Sequence, residues 1–239
     1  MLIELQPAFV LHTRPYRETS LLVECLTRDH GRLGVVARGV RGARARASRA
    51  DLEPFQALSM NLSLGGELAS LRGVEVHRTA SRLQGDALLA GLYLNELLVR
   101  LCARQDPHPT IHDHYARTLE RLRAGDAPGW TLRRFERDLL TGLGYGMQLL
   151  DEATHGTPVE ALVWYRYTPD LGPQRCNPQT AHAVSGADLL ALATDRCPDA
   201  DGQRRLRAMM RQVLRFHLGG SDLRAWQVLR PGPSKAGQD

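Results

Sequence analysis

At 239 residues the chain can bury a real core, as one large domain or two small ones, and its 43% hydrophobic and 24% charged content is that of an ordinary globular protein. Its formal charge of +5 is carried almost wholly by arginine, with Lys235 the single lysine. No apolar run reaches the ~20 residues that span a bilayer, and Met1 to Val10, with Glu4 inside it, lacks the form of an export signal, so a cytoplasmic, nucleoid-associated protein is expected.

Residues 1 to about 80 read as β. Ala8 to Thr13, Leu21 to Thr27 and Leu33 to Arg38 are short aliphatic and β-branched segments, punctuated by Pro15 and Asp29-His30-Gly31. Ala57 to Leu64 and Glu67 to Leu71 flank Gly65-Gly66, a hairpin signal because glycine adopts positive φ freely, and Val74 to His77 is a sixth short piece. About five short antiparallel strands suit a small barrel, the OB-fold among the candidates; an SH3-like barrel reads similarly.

From about residue 82 the period becomes helical. Leu83, Ala87, Ala90, Leu94, Leu97 and Leu101 mark a long amphipathic helix to about Arg104, broken at Asp106-Pro107-His108-Pro109. Tyr115, Leu119 and Leu122 mark a second helix ending near Gly125. Leu132, Phe135, Leu139 and Leu143 mark a third after Trp130, stopped by Gly144. Residues 150 to 183 are irregular, with a strand at Ala161 to Tyr167. Ser185 and Asp188 have capping-box spacing, and Leu206, Met209, Met210, Val213 and Leu214 mark a last long helix ending at Gly219-Gly220. The expected fold class is α+β: an OB-fold barrel over 1–80, a mostly α-helical domain over 81–230, and a disordered tail over 231–239.

Arg32, Arg38, Arg41, Arg44, Arg46 and Arg49 fall in one stretch without an acid, with Gly39, Gly42, Ala43, Ala45, Ala47 and Ser48 between them. Small residues leave little to pack, so a mobile basic loop between strands is expected. Arginine donates two parallel hydrogen bonds to phosphate oxygens, and each such contact releases counterions. Aromatic residues are few (three Trp, six Tyr, four Phe), so base stacking is expected to be secondary to phosphate contacts.

Other chemistries find little support. His108, His112 and His114 with Asp113 fall in a proline-rich break and a helix start, where Asp113 suits the helix dipole better than a metal. A phosphate loop of the Gly-x-x-x-x-Gly-Lys type is absent, and Gly142, Gly144 and Gly146 follow a helix rather than a strand, unlike a dinucleotide fingerprint. Cys25, Cys102, Cys176 and Cys197 are scattered and read as reduced structural thiols. No catalytic site and no cofactor are expected.

An ordered series of segments resembles the RecO family of recombination mediators. It begins with Ala8-Phe9-Val10-Leu11-His12-Thr13-Arg14-Pro15-Tyr16-Arg17-Glu18-Thr19-Ser20-Leu21. It continues through Gly31-Arg32-Leu33-Gly34-Val35-Val36-Ala37-Arg38-Gly39-Val40-Arg41, Leu52-Glu53-Pro54-Phe55 and Gly91-Leu92-Tyr93-Leu94-Asn95-Glu96-Leu97-Leu98. It closes with Leu132-Arg133-Arg134-Phe135-Glu136, Leu143-Gly144-Tyr145-Gly146 and Leu218-Gly219-Gly220. The resemblance implies binding of single- and double-stranded DNA, annealing of complementary strands, and docking of the acidic, Phe-terminated tail of the single-strand-binding protein. It also implies work with RecR, in many bacteria also RecF, to load RecA. Arg14 is a further candidate DNA contact, with a pair to Glu18 across a turn as its alternative. The tail-docking site carries over onto Arg133, Arg134, Phe135 and Leu139; neighbouring arginines do not share one helix face, so one of the two, Arg133 by preference, is expected at the pocket, with a solvated face paired to Glu136 or Asp138 as the alternative.

In one respect the sequence departs from the resemblance. Some members carry two Cys-x-x-Cys pairs after the Leu-Gly-Tyr stretch, where this chain reads Leu150-Asp151-Glu152-Ala153-Thr154-His155-Gly156. No zinc is therefore expected, and packing of Trp164, Tyr165 and Tyr167 is expected to take over its structural role. Two competing functions stay open at this point: an RNA-binding accessory factor of ribosome or tRNA, and an enzyme with an OB appendage. Preference for DNA over RNA separates the first from a mediator, and metal- or nucleotide-dependent turnover would favour the second.

Overall fold

Apolar alternation organises the N-terminal strands. The structure, a computed structural model, describes residues 1–40, 49–77 and 82–228. β1 (Leu2–Tyr16), β2 (Ser20–Thr27), β3 (Gly31–Ala37), β4 (Ala57–Leu64) and β5 (Leu68–Val76) turn Val10, Val23, Cys25, Val35, Met60 and Leu62 into one interior, all fully buried. The strands close in the order β1-β2-β3-β5-β4, antiparallel except for the parallel β3–β5 pair. That closed five-stranded order is OB-type and decides against the SH3-like alternative. Val40 and Leu52, the latter in a short 3₁₀ turn (Ala50–Leu52), join the barrel core.

Two strands run longer than their alternation suggests. β1 starts at Leu2 because it bulges: the register shifts between Ile3 and Gln6, Leu5 takes φ 48°, and its amide donates to Asn61 Oδ1 at 2.7 Å. β5 is one strand rather than two pieces. Asn61 faces Gly73 and Leu62 faces Leu71, so Arg72 is the extra residue that breaks the pattern. The β4–β5 link covers Gly65 to Glu67, and within it Gly66 takes positive φ at 88°.

β2, and β1 over residues 8–11, are buried on both faces. Phe9, Leu11 and Leu26 point out of the barrel into the core of the helices, and Phe9 meets Tyr115 edge-on with centroids 5.1 Å apart. Asn95 Nδ2 donates to the Leu11 carbonyl at 2.8 Å, and the Tyr115 hydroxyl donates to Asn95 Oδ1 at 2.5 Å. Barrel and helices therefore share one apolar layer.

The helices are α1 (Gly85–Leu101), α2 (Pro109–Ala124), α3 (Pro128–Gly142), α4 (Gly186–Ala193), α5 (Ala200–His217) and α6 (Ala225–Val228). Pro109 and Pro128 open α2 and α3, so α3 begins before Trp130 rather than after it. Gly125, at φ 90°, ends α2. The expected capping box is present on α4: Asp188 N donates to Ser185 Oγ at 3.2 Å and Ser185 N to Asp188 Oδ2 at 3.1 Å.

Between α3 and α4 lies a three-stranded sheet, β7 (Gly172–Arg175), β6 (Trp164–Thr168) and β8 (Val184–Ser185) in that order. β6 starts later than Ala161 because Val163 N closes a turn onto the Glu160 carbonyl. Tyr165 and Tyr167 are buried, and Trp164 is half-buried beneath the Arg205 guanidinium at 5.3 Å. Arg175 ties Glu152 and Glu160 across this region at 2.8 and 2.5 Å. Among the described residues no helix is long and apolar enough to cross a membrane.

Candidate nucleic-acid interface

The barrel arginines divide into two sets. One set clamps barrel to helices. Arg28, at the β2–β3 turn, grips Asp113 of α2 through two bonds of 3.1 Å, which raise the guanidinium above its ordinary value and lower the carboxyl. Arg32, grouped from sequence with the loop arginines, lies in the same seam. Its Nη1 bonds Glu24 at 2.8 Å, its Nε donates to the Cys102 carbonyl at 2.9 Å, and Arg104 takes the other Glu24 oxygen. With 14% of its side chain exposed and both Nε and Nη1 bonded, Arg32 is a structural clamp in this geometry. The Cys102 thiol beside it is pushed up to about 11, chiefly by burial.

The second set faces solvent. Arg14 on β1, Arg17 in the β1–β2 turn, Arg38 beyond β3 and Arg49 before the 3₁₀ turn are exposed and make no ion pair among the described residues. Arg14 is thus not paired with Glu18. Arg17 and Arg38 line a groove of about 750 Å³ between the β1–β2 turn, the end of β3 and the β4–β5 hairpin, with Tyr16, Val36 and Leu68. This is the opposite end of β2 and β3 from Arg28 and Arg32. The Arg17 guanidinium lies 5.2 Å from the Tyr16 ring, which sets a cation and an aromatic face side by side. Arg49 borders a separate groove with Phe55 and Leu92. Arg41, Arg44 and Arg46 lie outside the described residues.

Tyr16 and Arg17 escaped the charge-run reading because they precede the run by some twenty residues. The signal was present as Arg14-Pro15-Tyr16-Arg17, cations and an aromatic at a turn.

The residues carried over as a tail-docking site do not form one surface. Phe135 and Leu139 are core residues, 1% and 0% exposed. Arg133 turns inward to Glu136, which is itself fully buried and accepts from the Tyr93 hydroxyl at 2.5 Å. Burial pushes the Glu136 carboxyl up, against the pull of Arg133. Arg134 reaches Asp195 at 2.7 Å. The two neighbours do occupy different helix faces, and each is held by a carboxylate.

Among the described residues no group of three His, Cys, Asp or Glu side chains converges as a metal set. His112 and Asp113 stand in the second turn of α2: His112 packs against Phe9 and bonds Asp113, while His114 bonds Asp138 at 2.9 Å.

Barrel, seam and exposed arginines define a class of protein in which a closed OB-type barrel, carrying exposed arginines at the end away from Arg28 and Arg32, is seated on a helical body. Comparison with known proteins gives it a family. Residues 1–80 match the family described as Recombination protein O N terminal, and residues 82–227 match Recombination protein O C terminal. The chain is 48% identical over 233 residues to DNA repair protein RecO of Stenotrophomonas maltophilia (strain R551-3), covering 96% of this chain and 97% of the relative. It is 48% identical over 235 residues to DNA repair protein RecO of Xanthomonas euvesicatoria pv. vesicatoria (strain 85-10), with the same coverage. The chain belongs to the RecO family of DNA repair proteins.

Proposed function

We propose that the protein is a non-enzymatic recombination mediator of the cytoplasm. It binds single- and double-stranded DNA through the end of its barrel away from Arg28 and Arg32 and anneals complementary strands. It docks the single-strand-binding protein and, with RecR and in many bacteria RecF, helps load RecA. The observation that carries the DNA-binding part is the separation of the arginines: Arg28 and Arg32 are held by carboxylates, while Arg14, Arg17, Arg38 and Arg49 make no ion pair among the described residues. Unpaired guanidinium groups beside a groove cost little to transfer onto phosphates. The partner functions rest on family membership, with Arg133 and Arg134 as the carried-over tail contacts.

The test is fluorescence anisotropy of a labelled single-stranded oligonucleotide across a salt series. Two variants are compared with the wild type: Arg14, Arg17 and Arg38 changed together to Gln, and Arg41, Arg44 and Arg46 changed together to Ala. Each loss of three phosphate contacts is expected to weaken binding at least about tenfold and to lower the salt slope by about 2. Unchanged affinity and slope in both variants would move the DNA site off the barrel. Tighter binding of an RNA oligonucleotide than of DNA would favour the RNA-accessory reading instead.

A further inference from the structure

The outer face of α5 has no part in the function proposed above. Arg204, Arg207, Arg211 and Arg215 recur at steps of three, four and four, and all four are exposed. At about 100° per residue they fall within about 80° of one another, opposite the buried Leu206, Met209, Met210 and Val213. The stripe is about 16 Å long at 1.5 Å per residue. One strand of a duplex presents a phosphate about every 3.4 Å, so the stripe faces about five.

Its exposed acidic neighbours are Asp201 and Asp222, and the buried Glu136 lies near Arg207. Asp201 pairs with Arg204, and Asp222 lies 3.7 Å from Arg211 and 3.5 Å from Arg215. These pairs are about half exposed, weak in water and readily exchanged for phosphates. The middle of the stripe is anchored: Arg211 lies over the Trp226 ring at 4.7 Å, which holds its guanidinium in place. Burial chiefly, with the nearby Arg133 and Arg211, holds Arg207 below its ordinary value against the pull of the buried Glu136. Beside the arginines stand the small or polar Ala200, Ala208 and Gln212, and the exposed ring of Phe216 lies one turn beyond Gln212, a mix of cations and one aromatic face that suits a nucleic-acid strand.

We propose that this face of α5 is a second site for a nucleic-acid backbone, able to hold one strand while the barrel holds another. The inference rests on the mediator reading, because it gives one protomer the two strand sites that annealing needs. The barrel seats on α1 and α2, whereas α5 seats on α3 and α4, so the two sites belong to different parts of the molecule.

The test uses the full chain with Arg204, Arg211 and Arg215 changed to Gln, sparing Arg207 beside the buried Glu136. Beads carrying one oligonucleotide are loaded with protein and offered a labelled, non-complementary second one. The α5 variant is expected to bind the first strand within about twofold of wild type. It should capture the second at least about tenfold less well and anneal complementary strands correspondingly slowly. Should the triple variant unfold, Arg204→Glu, at a position with 73% of its side chain in solvent, is expected to cut second-strand capture several-fold. Capture and annealing at wild-type levels would overturn the proposal. So would loss of an acidic, Phe-terminated peptide by the α5 variant with capture intact, which would make the face a protein-docking surface. The barrel variant with Arg14, Arg17 and Arg38 replaced separates the two readings. If it alone binds the first strand normally, the barrel assignment fails while the α5 result is still read from its own variant.

Discussion

Gly31 shows how much the seam between barrel and helices depends on single atoms. It sits at the β2–β3 turn with φ 65°, and its carbonyl accepts from Thr27 Oγ1 at 2.7 Å. A Cβ there would collide with the carbonyl oxygen of Asp106, so the backbone itself would have to shift. Gly31→Ala combines about 1–2 kcal/mol for a left-handed conformation with that clash, so a loss of at least about 2 kcal/mol is expected. Urea denaturation measures it; a loss below 1 kcal/mol would show that the loop around Asp106 yields freely. Arg32, one residue on, illustrates what a sequence hides at this scale. In the chain it is one more arginine in a basic run, but its partners Glu24, Cys102 and Arg104 are brought to it by folding from as far as 72 residues away. Nothing local distinguishes it from Arg38, which is exposed and makes no ion pair among the described residues.

At the scale of elements, α3 carries the clearest energetic consequence. Glu136 is wholly buried, with Arg133 and Tyr93 as partners and its second carboxylate oxygen without one. Removing either charge leaves the other buried and uncompensated, which costs about 3–5 kcal/mol, whereas apolar replacement of both is far milder. Glu136→Leu and Arg133→Met are each expected to lose at least about 3 kcal/mol, and the double variant less than the two losses added. A thermodynamic cycle from denaturant unfolding checks this, and strict additivity would mean that the ion pair carries no coupling. The pair also shows why the residues carried over by resemblance were legible as a motif but not as a surface: Phe135 and Leu139 follow the buried period of α3, and Arg133 follows them inward. The elements themselves were legible where chemistry is local. The Ser185–Asp188 box, Gly125 as a helix stop and the β4–β5 hairpin are all short-range signals. β7 and β8 are too short to show a period, and bulges at Leu5 and Arg72 disguised β1 and β5 because one extra residue reverses the alternation.

For the whole molecule, the shared core predicts that barrel and helices unfold together, and His112 predicts how that unfolding responds to acid. Its ring is buried in the seam, against Phe9 on one side and bonded to Asp113, with Nε2 lacking any partner. Burial holds its pKa below 6.5, against the opposing pull of Asp113, and His217 is lowered in the same way despite Asp170. A histidine lowered in the folded state binds its proton more readily when unfolded. Its contribution is therefore fully present above the unfolded value of about 6.5 and is lost as pH falls through the folded one. The melting temperature is expected to drop between pH 7.5 and 5.5 in a single transition. His112→Leu should shrink that drop, because the replacement keeps the contact with Phe9 but has no proton to take up. Calorimetry at the two pH values decides it. An undiminished drop in the variant would assign the acid sensitivity to His217 or elsewhere, and two separated transitions would show that the barrel lets go of the helices first.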